Sequence, residues 1–120
     1  MTADHEPLRV LTLAKALVRD THMALQSPSF RKHSALKDQL SRAALSVLSN
    51  IAEGDGRASA RDGGRFFQIA IASAEESKVQ IELSAEIGAL PMESAVELHD
   101  GYSKVCRMLK SLIEVRRQRN

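Results

Sequence analysis

Residues 34–87 read SALKDQLSRAALSVLSNIAEGDGRASARDGGRFFQIAIASAEESKVQIELSAEI. Two stretches of helical periodicity flank a glycine-rich interruption, GDGRASARDGG, at residues 54–64. In the first, Leu36, Leu40, Ala44, Val47 and Ile51 recur every three or four residues, and Ala43 and Leu48 widen the stripe. Asp38, Arg42, Ser46 and Ser49 fall on the other side. That spacing is one apolar face of an amphipathic helix, predicted over residues 34–53. Gly54 then reads as its C-cap, where a positive φ is needed. Ser59, with Asp62 three residues on, resembles a capping box that opens the next helix, predicted over residues 60–87. Gly63 and Gly64 weaken its first turn, since each costs about 1 kcal/mol relative to Ala inside a helix.

The second stretch has more apolar surface than one stripe needs. Ile69, Val79, Leu83 and Ile87 lie on one flank, and Phe67, Ile71, Ala74 and Ile81 on another. Small residues, Ala70, Ser73, Ser77 and Ser84, run between them, and Glu75, Glu82 and Glu86 mark a solvated side. A helix in a lone bundle needs one apolar stripe, so this one is expected to meet another subunit as well as its own neighbours. A central helix wrapped by the other three is the alternative.

Outward from this pair the same reading holds. Leu11, Ala14, Val18 and Leu25, with Val10, Leu17 and Ala24, make a helix over residues 8–26, between Pro7 and Pro28. After Gly88 and Pro91, a seam of Leu98, Tyr102, Val105, Leu109 and Leu112 makes a fourth over residues 92–117, flanked by Cys106 and Ile113. No segment alternates with period two. The expected fold class is all-α: an antiparallel up-down-up-down four-helix bundle forming a single domain over residues 1–120.

Composition agrees. A chain of 120 residues buries roughly two-thirds of its unfolded surface, so it needs no disulfide framework. With no Trp, one Tyr and three Phe, the core must be aliphatic. The lone cysteine, Cys106, excludes an intrachain disulfide and suggests a reducing compartment. The opening MTADHEPLRV lacks a secretory pattern, and no apolar run approaches the roughly 20 residues of a membrane span. A cytoplasmic protein without membrane contact is the expectation.

The sequence carries no motif of a catalytic or metal site. Among His5, His22, His33 and His99 none has a ligand partner at i, i+4, and no Cys/His cluster exists, so no metal or cofactor is expected. The GDGR segment follows no strand and lacks the GK[ST] ending of a phosphate loop. Glu75 and Glu76 are adjacent, about 100° apart on a helix, and cannot act as a paired acid and base. Cys106 has no activating His and reads as a buried structural thiol. No catalytic residue is predicted.

Basic residues are the remaining signal. Lys104, Arg107, Lys110, Arg116, Arg117 and Arg119 are opposed after residue 103 by Glu114 alone, although the net charge is only +2. Lys104, Arg107 and Lys110 share the face opposite the seam, as a phosphate-tracking stripe would. A second basic set, Arg57, Arg61 and Arg65, surrounds the glycine loop. Asp100–Lys104 and Lys110–Glu114 are i, i+4 pairs that would make the same face an ordinary solvated one. No aromatic side chains interleave with either set, so any nucleic-acid contact would be with the backbone and carry little sequence preference.

The run Arg42-Ala43-Ala44-Leu45-Ser46-Val47-Leu48-Ser49-Asn50-Ile51-Ala52-Glu53-Gly54, followed by Gly56-Arg57 and Ser59, resembles the signature of the four helix bundle protein family, also called the 23S rRNA intervening-sequence protein family. Arg65-Phe66, Ile69-Ala70, Ser73, Glu76 and Gln80 keep its spacing, and Leu8 to Leu17 resembles its first helix. Leu11 stands where the family usually has Trp, Leu48 where it has Pro, and Gly63 and Gly64 where it has apolar residues. The resemblance implies a homopentamer and no established catalytic activity. It is more distant to the accessory proteins of diversity-generating retroelements, in which a basic pentameric barrel binds nucleic acid and a reverse transcriptase. Asn50, Glu53, Ser73 and Glu76 match family positions and are expected to cap and hydrogen-bond the turn between helices two and three. The expected partners are further copies of the chain, with RNA or DNA as the nucleic acid. A scaffold whose basic face meets an acidic protein, without nucleic acid, is the alternative.

Overall fold

The computed structural model describes residues 6–57 and 59–119, with side chains described from Arg9 to Gln118 except Ala58. The readings on His5, Leu8 and the Arg119 side chain lie outside the described residues. Four α-helices follow one another: α1 (Glu6–Ala24), α2 (Ser34–Asp55), α3 (Ala60–Glu86) and α4 (Met92–Arg119). There is no strand among the described residues. A 3₁₀ turn at Pro28–Phe30, not foreseen in the periodicity, joins α1 to α2 and buries Phe30.

α3 packs against α2 and α4, and α1 packs against the same two helices. One apolar cluster draws from all four. The α4 seam of Leu98, Tyr102, Val105, Leu109 and Leu112 is buried throughout, as are Leu40, Ala44, Val47 and Ile51 of α2. Apolar stripes at the helical period close on one another because each removes about 25 cal/mol of unfavourable free energy per Å² withdrawn from water. α2 runs unbroken through Leu48.

Ser59 caps α3 as expected: its hydroxyl accepts the Asp62 amide at 3.1 Å. Gly54 differs from expectation. It lies inside α2, the cap is Gly56 at φ −81°, and Gly88 is the residue with positive φ among those described. Gly54 is required for space instead. A Cβ there would lie 2.6 Å from the Phe67 ring and 2.9 Å from the Gly63 carbonyl oxygen. Gly63 is likewise buried at the α2–α3 contact, so Gly54 and Gly63, at a cost in helix propensity, let two backbones meet. Ser46, expected to face away, is half-buried and bonded to Ser73 of α3 at 2.7 Å.

α3 separates its two apolar flanks. Phe67, Ile71, Ala74 and Ile81 enter the core with Ala70, Ser73, Ser77 and Ser84. Ile69, Val79, Leu83 and Ile87 stay outside, with Val79 63% exposed.

Candidate nucleic-acid interface

Lys104, Arg107 and Lys110 are exposed on α4, and among the described residues none has an ion-pair partner. The i, i+4 pairs Asp100–Lys104 and Lys110–Glu114, which would make this an ordinary solvated face, do not form; Glu114 instead lies 3.6 Å from Arg117 and 3.3 Å from the amide of Gln118. Their positions three residues apart follow the turn of the helix, while Val105, Cys106 and Leu109 hold the opposite face in the core. Arg117 is 73% exposed, and it lines a shallow cleft with Arg61, Gly64, Gln68 and Ile113. Arg61 is exposed too, so this end of the α3–α4 groove presents two guanidinium groups to solvent.

Two other basic residues face inward to the protein's own groups. Arg57 reaches Glu53 at 2.5 Å, lies 3.9 Å from Asp62, and stacks over the Phe66 ring at 4.5 Å. Arg116 is largely buried. It donates to the Gly54 carbonyl at 3.4 Å, lies 3.6 Å from Asp55, and covers the Phe67 ring at 5.1 Å. One guanidinium thus satisfies a carbonyl in the last turn of α2 and joins α2, α3 and α4. Sequence reading placed Arg116 with the surface cations because charge and periodicity do not reveal what a helix end packs against. Arg65 pairs with Asp62 at 2.9 Å.

The four polar family positions have different surroundings. Glu53 is at the turn, held by Arg57. Asn50 donates to the carbonyl and hydroxyl of Ser46, and Ser46 meets Ser73, so these three link α2 and α3 along their length and not at a cap. Glu76 accepts from Gln80 within α3 at 3.2 Å. The four therefore do not converge on one point. Cys106 is buried, its Sγ 3.9 Å from the Ile71 carbonyl, and burial pushes its thiol pKa upward, away from thiolate chemistry.

Sequence reading missed the buried link between Tyr102 and Thr21. Their oxygens are 2.7 Å apart, and the Thr21 hydroxyl donates to the Leu17 carbonyl at 2.8 Å, so the Tyr102 phenol is the donor between them. A polar Thr on the apolar stripe of α1 was the available signal.

The described residues contain no group of three or more His, Cys, Asp or Glu placed to hold a metal ion. None of their helices is long and apolar enough to cross a membrane.

The fold is similar to the crystal structure of a protein of unknown function from the S23 ribosomal protein family of Bacteroides thetaiotaomicron. The TM-score is 0.80 at 18% identity, covering 92% of this chain and 99% of that one. At that identity the likeness speaks for the fold alone. No curated protein matches the chain. The family model described as 23S rRNA-intervening sequence protein matches residues 6–111, from the start of α1 well into α4. With that span, the chain belongs to the 23S rRNA-intervening sequence protein family.

Proposed function

We propose that the chain is a non-enzymatic nucleic-acid adaptor. Its protomer is an up-down-up-down bundle forming one domain, and it works in the cytoplasm as a pentameric ring. Its exposed cations meet the phosphate backbone of RNA or DNA with little sequence preference. The observation that carries the reading is the unpaired stripe of Lys104, Arg107 and Lys110 beside the exposed Arg61 and Arg117. Repeated around a ring, such a stripe becomes a field strong enough to hold a polyanion. Ring formation is supported by the outer flank of α3, where Leu83 and Ile87 are 45% and 43% exposed on a face that the protomer leaves uncovered. The antiparallel arrangement is supported by opposed pairs, Ser46 with Ser73 and Gly54 with Gly63 between α2 and α3, and Glu82 with His99 and Ile71 with Cys106 between α3 and α4.

The test combines mass and salt dependence. Light scattering should give an oligomer that Leu83→Glu dissociates. Structured RNA or duplex DNA should be retained at low salt and released as salt rises. Changing Lys104, Arg107 and Lys110 to Glu should weaken retention, with log K against log salt flattening by about 0.9 for each lost contact to duplex DNA. No retention at low salt by the unaltered chain overturns the nucleic-acid reading, and a monomeric mass overturns the ring.

A further inference from the structure

The N-terminal half of α4 has the opposite character to its basic end. Residues 79–103 contain Glu82, Glu86, Glu93, Glu97 and Asp100 and no lysine or arginine. This half borders an apolar groove of about 260 Å³ between the last turns of α3 and the first turns of α4. Its floor is Ile81 and Ala95, both buried, and Met92 and Val96 stand 64% and 52% exposed on the α4 side. Glu82 and His99 are bonded between the two walls at 2.7 Å. Glu86 and Asp100 also line the groove, and among the described residues neither has an ion-pair partner. α3 has no basic residue in its last turn, so Glu86 adds to the negative end of that helix's dipole. The α1–α2 connection, whose Ser29 donates to the Ala89 carbonyl at 2.6 Å, carries the cations Arg31 and Lys32, both exposed.

The size and charge of the groove define an occupant. At about 260 Å³ it falls below the roughly 300–1,000 Å³ of small-molecule pockets. The α4 wall from Met92 to Asp100 is about 12 Å long at 1.5 Å per residue, enough for two apolar side chains at i and i+4, about 6 Å apart. An amphipathic helix laid in a groove offers such anchors. The carboxylate rim requires lysines or arginines beside them. A second copy of this chain is a poor fit. Its exposed large apolar side chains stand near lysine or arginine only singly, Met23 after Arg19, Leu45 after Arg42, Ile69 after Arg65 and Val79 beside Lys78, and none of them lies on the basic half of α4.

We propose that the groove between the end of α3 and the start of α4 docks a cationic amphipathic helix of another protein. Two apolar anchors sit over Ile81 and Ala95, and basic side chains meet Glu86 and Asp100. This face is separate from the basic stripe, so the proposal stands whether or not the chain binds nucleic acid.

The test uses the full chain and a labelled synthetic helix of about 16 residues, long enough to form helical turns, with leucines at i, i+4 spacing among lysines. Binding should shift the amide resonances of residues 81–100. It should weaken about tenfold or more in Glu86→Lys/Asp100→Lys and in Met92→Ser/Val96→Ser. These side chains are exposed, so circular dichroism and melting temperature should not change. Two control peptides, with alanine for leucine and with glutamate for lysine, should each bind about tenfold more weakly or worse. Equal binding by the alanine peptide reduces the contact to charge alone and overturns the proposal, as does equal binding by the glutamate peptide. Groove resonances that move with protein concentration, together with a smaller oligomer in Met92→Ser/Val96→Ser, assign the groove to a second copy and also overturn it.

Discussion

Gly54 and Gly63 face each other across the α2–α3 contact so closely that a Cβ on Gly63 would stand 2.8 Å from the Gly54 carbonyl oxygen. Neither glycine is in a left-handed conformation. Gly54→Ala should therefore destabilise the protein although alanine favours helix. The gain is about 1 kcal/mol of propensity, while overpacking against Phe67 and the Gly63 carbonyl costs about 1–3 kcal/mol. Gly64→Ala should do the reverse. A Cβ there meets nothing within 4 Å, so the variant should gain up to about 1 kcal/mol. Urea denaturation of both variants checks the pair. Equal midpoints would mean that the close approach is not a constraint.

Arg116 should behave as a core residue despite its charge. Arg116→Ala removes the bond to the Gly54 carbonyl, the Asp55 contact and the cover on Phe67, with an expected loss of about 1–3 kcal/mol. Lys110→Ala, on the exposed face, should change stability by less than about 0.5 kcal/mol. Thermal melts of the two variants distinguish these roles.

Tyr102 makes stability depend on alkaline pH. Burial pushes its pKa from 10.0 up to about 12. The folded pKa exceeds the unfolded one, so the contribution is complete below pH 10 and is lost as pH rises through 12. Two pKa units correspond to roughly 2–3 kcal/mol. Because the chain has one Tyr and no Trp, absorbance at the phenolate band follows this group alone. The expected ionisation midpoint lies near 12 or coincides with unfolding, and Tyr102→Phe should be flat across that window. A midpoint near 10 in the folded protein would contradict the burial.

Thr21→Val should cost more than Tyr102→Phe. The first leaves the buried Tyr102 hydroxyl without its acceptor, about 1–3 kcal/mol. The second leaves Thr21 still donating to Leu17, about 0.5–1.5 kcal/mol. Denaturant midpoints give the order directly.

Cys106 should resist thiol reagents until the chain opens. Its thiol is buried and its pKa is raised chiefly by desolvation. Labelling should follow the unfolding equilibrium, accelerating with urea in step with loss of helical signal. Rapid labelling of the native protein would contradict the packing of α4.

The elements were legible in the residues because a helix records its packing in its own period. The stripes of α2 and α4 turned out buried nearly position for position, and the Ser59 cap opened α3 where Ser59 and Asp62 placed it. Family membership was legible for a related reason: the run from Arg42 to Gly54 is local and continuous. Two apolar flanks on α3 were also visible, since they are a count of apolar faces.

Tertiary structure alone decided which flank faces inward, and it put Ile71 and Ile81 inside and Val79 and Leu83 outside. It also turned Gly54 from a cap into a contact, drew Ser46 onto Ser73, and took Arg116 out of the basic surface to close the end of α2. Each of these depends on two helices far apart in the chain meeting at a particular register. Periodicity within one helix assigns faces but carries no information on the residue opposite, so such pairings exist only once the helices have packed.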